Sequence, residues 1–178
     1  MAAWNVLATS FEGRRDTLLV ALRGLGAFRR GGYRNVIVGR VEDPQAFLGT
    51  VREALESNAL LRVSLAKLVP IETTVRITAE DAVDVLSAAA EPFLDRLAGG
   101  SFIVRLERRG LKGRLDTAVA ERAIGERVWR ALEARGRTPR VEFRDPDAIL
   151  VIETLGDEAG LAVLPRALRR DFPFIRVR

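Results

Sequence analysis

The sequence predicts an α/β protein in two segments, a small N-terminal β-α-β-β (ferredoxin-like) segment over residues 1–43 and a larger α/β domain over residues 44–178. Short apolar runs of strand length alternate with longer runs whose apolar residues recur at helical spacing. Turn signals separate them, among them Gly31-Gly32, Asp43-Pro44, Gly99-Gly100 and Gly156 to Gly160. The chain of 178 residues is 48% hydrophobic and 30% charged, enough apolar surface to offset the entropy of ordering its backbone.

The first strand is expected over Trp4 to Thr9. A helix follows from Arg14 to Leu25, with Leu18, Leu19, Ala21, Leu22 and Leu25 on its apolar face and Gly24 and Gly26 ending it. Residues Ala27 to Arg30 and Asn35 to Val41 read as a hairpin around Gly31-Gly32. Asp43-Pro44 starts the next helix, the carboxylate capping and the proline sitting where no N–H is needed, and Phe47, Leu48, Val51 and Leu55 form its stripe.

A strand region is expected from Leu60 to about Ile77, broken by Pro70, which suits an edge or a bend. Thr78, with Asp81 three residues on, caps a helix whose buried face runs from Ala82 to Leu97, and Pro92 should kink or split it. The strand Phe102 to Arg108 places Phe102, Val104 and Leu106 on one face. A long helix from Leu115 to Arg135, capped by Asp116, buries Thr117, Ala120, Ile124, Val128 and Ala131. Val141 and Phe143 form a short strand, Asp145-Pro146-Asp147 a turn, and Ile149 to Leu155 and Leu161 to Leu164 the last two strands.

Composition excludes whole classes of chemistry. There is no Cys and no His, hence no thiol nucleophile, disulfide, zinc-finger ligand or imidazole base. No apolar run approaches the roughly 20 residues that span a bilayer, and the N-terminus lacks a signal-type apolar core, so no membrane partner and a cytoplasmic location are expected. Gly24-Leu25-Gly26 follows a helix and not a strand, which excludes a dinucleotide fingerprint. Asp145 with Asp147, and Asp81 with Asp84, are accounted for by turn formation and helix-start electrostatics. No catalytic set, metal site or cofactor loop emerges, and the chain is expected not to be an enzyme.

Charge is the positive clue. The 29 Lys and Arg outnumber 24 Asp and Glu, and residues 101 to 144 alone carry twelve cations against six carboxylates. The segment Arg105 to Arg114 leads from a strand into a helix and holds Arg105, Arg108, Arg109, Lys112 and Arg114 beside Gly110 and Gly113. Backbone N–H groups, the positive helix end and these cations together suit a phosphate. Lys112 is followed by Gly113, so the loop is not a nucleotide-hydrolysing P-loop. On the helix, Arg122, Glu126 and Arg130 lie four residues apart, a pattern that stabilises an exposed helix by about 0.2–0.5 kcal/mol per pair. Gly125 costs about 1 kcal/mol there relative to Ala and needs a packing or contact reason. Trp129 could stack on a base or a partner, although an aromatic on a helix flank more commonly packs on its own chain.

Several short motifs, in order, resemble the THUMP domain, an RNA-binding module of thiouridine synthases, tRNA methyltransferases and tRNA acetylation adapters. They are Leu68-Val69-Pro70-Ile71-Glu72, Ser101-Phe102-Ile103-Val104-Arg105 followed by Arg108-Arg109-Gly110, Arg122-Ala123-Ile124-Gly125, and Val141 to Asp147 followed by Leu150 to Glu153. Asp145 stands where the family usually has Asn, and Glu142 and Ile152-Glu153 match only approximately. The resemblance runs from about Pro44 onward. It implies a THUMP domain over 44–178 that grips the 3′ acceptor end of tRNA, with Arg105, Arg108, Arg109, Lys112, Arg114, Arg122, Arg127 and Arg130 as RNA-binding residues.

A THUMP domain behind a short N-terminal segment is similar to the adapters that present tRNA to the acetyltransferase making N4-acetylcytidine. With the chain stopping at Arg178, the resemblance therefore implies a non-catalytic tRNA-binding protein with no cofactor, which presents tRNA to a modification enzyme acting in trans. A protein-interaction module docking an acidic partner through Trp129 and the basic surface, and an RNA-modification subunit with an unrecognised active site, are the competing expectations. Oligomeric state stays open.

Overall fold

The computed structural model describes residues 4–177. The described chain forms two compact units, one of residues 4–72 with 171–176, the other of residues 73–170 with 177.

The first unit holds strands β1 (Val6–Ser10), β2 (Ala27–Arg30), β3 (Val36–Arg40) and β4 (Leu65–Pro70), with helices α1 (Arg15–Arg23), α2 (Pro44–Ser57) and α3 (Ala59–Ser64). The four strands make one antiparallel sheet in the order β2-β3-β1-β4. This is the β-α-β-β-α-β ferredoxin-like pattern. The expected segment of residues 1–43 supplies three of its strands; β4, beyond residue 43, supplies the fourth, so the compact unit runs on to Glu72. β4 is an edge strand, where Pro70 can end it without costing the sheet an interior hydrogen bond.

The expected capping of α2 is present: the Asp43 carboxylate accepts from the N–H groups of Gln45 (2.8 Å) and Ala46 (3.1 Å). The hairpin at Gly31-Gly32 is present with a five-residue loop, in which Gly32 and Asn35 take positive φ. One expectation fails. Residues 59–64 form α3 in place of the beginning of a strand, because Asn58 caps it by accepting from the Leu61 N–H (3.1 Å), and Leu61 alone among its large apolar side chains is fully buried.

The second unit carries β5 (Thr73–Arg76), α4 (Ala82–Ala90), a 3-10 turn over Glu91–Phe93, α5 (Leu94–Leu97), β6 (Ser101–Glu107), α6 (Thr117–Ala134), β7 (Arg140–Val141), β8 (Ala148–Leu155), β9 (Glu158–Pro165) and α7 (Arg166–Asp171). Its sheet runs β5-β9-β8-β6-β7. β6 pairs in parallel with β7 and β8, and the rest is antiparallel. Pro92 divides the helical run as expected, lying in the 3-10 turn. Thr78 and Asp81 bond reciprocally, each side chain accepting from the other's N–H (3.3 and 2.6 Å), but they close the turn before α4, whose N-cap is Asp81 with no side-chain capping bond, so the expected cap by Thr78 falls one turn short of the helix.

One core unites Leu86, Phe93 and Leu97 with Phe102, Val104 and Leu106 of β6, Ile124, Val128 and Leu132 of α6, and Leu150, Ile152 and Leu161 of β8 and β9. The expected face of β6 is thus the core face. On α6, Leu132 and not Ala131 completes the buried stripe, as the 3.6-residue repeat from Ile124 and Val128 requires. α7 was not foreseen from the sequence. Among the described residues no helix is long and apolar enough to cross a membrane.

Candidate nucleic-acid interface

A cleft opens where β7 stops. β7 pairs with β6 only at Ser101 and Phe102, so beyond that point β6 faces α6 with no strand between. The Leu106 N–H, lacking a strand partner on this side, donates to the Glu121 carboxylate of α6 (2.7 Å). The resulting cavity has a volume of about 650 Å³, and its walls include Phe102, Val104, Gly125, Trp129, Val141 and Phe143. Gly125 forms part of the wall, and a Cβ at this position would make only an ordinary contact, 3.8 Å from Val104, so packing against the chain itself does not require glycine here.

The rim is charged and balanced. Arg105, Arg122 and Arg130 line it together with Glu121, Glu126 and Glu133. Arg105 pairs with Glu121 at 3.7 Å and lies with its guanidinium 6.0 Å from the centre of the Phe143 ring. Phe143 is 69% exposed, whereas Trp129 is half-buried against the core, so the tryptophan both packs on its own chain and shows a face to the cleft. A cavity with aromatic walls, an apolar floor and arginines at the mouth suits an unpaired base entering flat.

Of the cations expected to bind RNA, Arg105, Arg122 and Arg130 meet at this cleft, together with Trp129. The others do not. Arg109 turns inward: its guanidinium pairs with Glu153 and with Glu107, each at 2.5 Å, and only 12% of its side chain is exposed while that of Glu153 is fully buried. The expectation that Arg109 contacts phosphate is corrected, because its donors are committed to carboxylates inside the fold. Arg108 folds back on its own loop, donating to the Gly110 carbonyl at 2.6 Å. Arg114 pairs with Glu80 (2.9 Å) and Arg127 with Asp84 (2.6 Å), both pairs exposed. Lys112 is exposed on the loop. Gly110, Leu111 and Gly113 take positive φ, so this is a tightly coiled loop.

The Asp145-Pro146-Asp147 turn is held from two sides. The Asp147 carboxylate accepts from the Ser101 N–H (2.8 Å) and hydroxyl (2.9 Å), and the hydroxyl accepts in turn from the Asp147 N–H (3.0 Å). The Ser101 backbone N–H, then its hydroxyl, holds the Asp147 carboxyl below the usual carboxylate range. From α7, Arg166 pairs with Asp147 (2.9 Å) and Asp145 (3.0 Å), and Arg169 and Arg170 also face Asp145. Both carboxylates thus serve the turn, and among the described residues no group of three potential ligands could hold a metal ion.

The sequence reading missed Phe143 and Val141 as cleft residues and Glu121 as the group that closes the β6 edge. The alternation of Val141 and Phe143 within a charged stretch, too short to bury both, was the available signal.

No protein-family model and no curated protein matches the sequence. Solved structures do match. TrmN from Thermus thermophilus superposes with a TM-score of 0.63 at 25% identity, over 94% of this chain and 48% of its own. A 4-thiouridine synthetase solved with RNA and ATP matches at 0.55 and 12% identity, over 91% of this chain and 41% of its own. A predicted N6-adenine-specific DNA methylase from Listeria monocytogenes matches at 0.57 and 17% identity, over 92% of this chain and 40% of its own.

The fold is THUMP-like. This chain spans about half the length of these structures or less. The expectation that it is not an enzyme is corrected by the same likenesses, since this architecture forms part of a chain described as a methylase and of another described as a synthetase. The lack of His and Cys does not exclude such chemistry.

Proposed function

We propose that this chain is the RNA-binding part of an RNA-modification system, holding the single-stranded acceptor end of a tRNA in the cleft between α6 and β7. Trp129 and Phe143 stack unpaired bases, while Arg105, Arg122 and Arg130 meet the sugar-phosphate chain at the rim. The observation that carries this reading is the exposed Phe143 ring sharing one cavity with Trp129 under three arginines. The THUMP-like fold, and the RNA bound in the 4-thiouridine synthetase structure, support RNA as the ligand. The methylase and TrmN likenesses favour methyl transfer over acetylation as the chemistry that the bound RNA undergoes.

The test compares binding of full-length tRNA with the same tRNA trimmed of its unpaired 3′ nucleotides. Trimming should weaken binding, and Trp129→Ala should remove most of the difference between the two. Equal affinity for both RNAs would sink the reading. Binding should weaken with salt at a log-log slope of about 0.7 per phosphate neutralised on single-stranded RNA.

A further inference from the structure

A second groove, of about 410 Å³, lies on the other side of Val141, which lines both cavities. Its walls are Ser101, Arg140, Val141, Glu142, Arg144, Asp145 and Arg166. Arg140 and Arg144 are both exposed and neither forms an ion pair among the described residues, in contrast to Arg105, Arg109, Arg114 and Arg127; Lys112, Arg122, Arg130 and Arg137 are exposed in the same way, but only Arg140 and Arg144 of these line this groove.

The carboxylates of this groove do not cancel them. Asp145 is already compensated by Arg166, Arg169 and Arg170. Glu142 is used locally, its carboxylate accepting from the Arg144 N–H at 2.8 Å. The Ser101 hydroxyl is engaged with Asp147. Two exposed guanidinium groups thus share one concave surface, Arg140 also lending its charge to Asp147, and such a pair suits a phosphodiester oxygen pair. In the aromatic cleft three glutamates line the same cavity as the three arginines, and Arg105 is paired with Glu121.

We propose that Arg140 and Arg144 form a phosphate subsite for the RNA strand whose unpaired bases enter the aromatic cleft, with Val141 dividing base from backbone. This rests on the proposed RNA binding and assigns its charge readout to residues outside the 105–114 loop. One strand would cross β7, its bases on the Trp129 side and its phosphodiesters on the Arg140 side.

The experiment uses the full chain and a labelled single-stranded 2′-O-methyl oligonucleotide, with either phosphodiester or uncharged methylphosphonate linkages, titrated by fluorescence anisotropy across salt concentrations. The variant Arg140→Gln/Arg144→Gln should bind the phosphodiester strand at least tenfold more weakly, with the salt slope reduced by about 0.7 for each phosphate that is no longer neutralised. On the methylphosphonate strand it should match the wild type. The control Arg14→Gln/Arg23→Gln removes two exposed cations from the first unit and should leave the slope unchanged.

An unchanged slope in the Arg140/Arg144 variant, or an equal drop in the control, overturns the subsite. If that variant binds normally while Trp129→Ala binds weakly, the subsite alone fails and the cleft stands. If the wild type binds neither strand, the RNA-binding reading fails with it.

Discussion

Arg109 and Glu153 form an ion pair at 2.5 Å between a guanidinium that is nearly enclosed and a carboxylate that no solvent reaches. Glu107 holds the other arm of the same guanidinium, and the Arg109 backbone is tied to Thr154 and Gly156. A residue that reads in the sequence as the middle of a basic RNA-binding loop is in fact the rivet fastening that loop to β8.

Arg109→Ala should therefore destabilise the fold. Removing the cation from a buried carboxylate costs about 3–5 kcal/mol, and replacing both partners with apolar residues of similar volume recovers most of that loss. Urea unfolding of Arg109→Met, Glu153→Met and the double variant measures the coupling. A loss below about 1 kcal/mol for Arg109→Ala would contradict the buried pair.

Phe143→Ala should separate binding from stability. The ring is largely exposed, so its removal should leave the unfolding midpoint nearly unchanged, yet it should lower affinity for single-stranded RNA by about 1–3 kcal/mol if a base stacks there. Trp129→Ala should lose both, because the indole also packs on the core, and Trp129→Phe should restore part of each.

Asp147 gives the turn a pH dependence. Its carboxyl is held below its ordinary value by the Ser101 N–H, so its contribution to stability is present above the unfolded value of about 4 and is lost as pH falls through the lower folded value. Asp147→Asn should be less stable than the wild type at neutral pH, and the gap should close in acid below about pH 4. Thermal unfolding of the two proteins from neutral to acid pH tests this; a gap that widens on acidification would refute it.

Gly39 lies opposite Phe28 in the β2–β3 pair, and a Cβ there would run into the Phe28 ring. Gly39→Ala should cost about 1–3 kcal/mol by overpacking. The loss should shrink in the background Phe28→Leu, a comparison that denaturant melts of the four proteins can make.

How much of this was legible in advance differs by element. The caps at Asp43 and Asp116 and the split at Pro92 were readable because each depends on atoms within three or four residues. α3 was missed because six residues with four apolar side chains fit a strand or a buried turn of helix equally well. α7 was missed because it buries no residue and so leaves no apolar period to read.

The sequence by itself determined the α/β architecture, most element ends and the concentration of cations after Gly100, since these follow from periodicity, capping and composition along the chain. Only the tertiary structure decided which cations are free to meet a ligand. Arg109 finds Glu153 across 44 positions and Arg127 finds Asp84 across 43, and a charge's availability depends on the carboxylate that folding brings within about 3 Å, which no local pattern encodes.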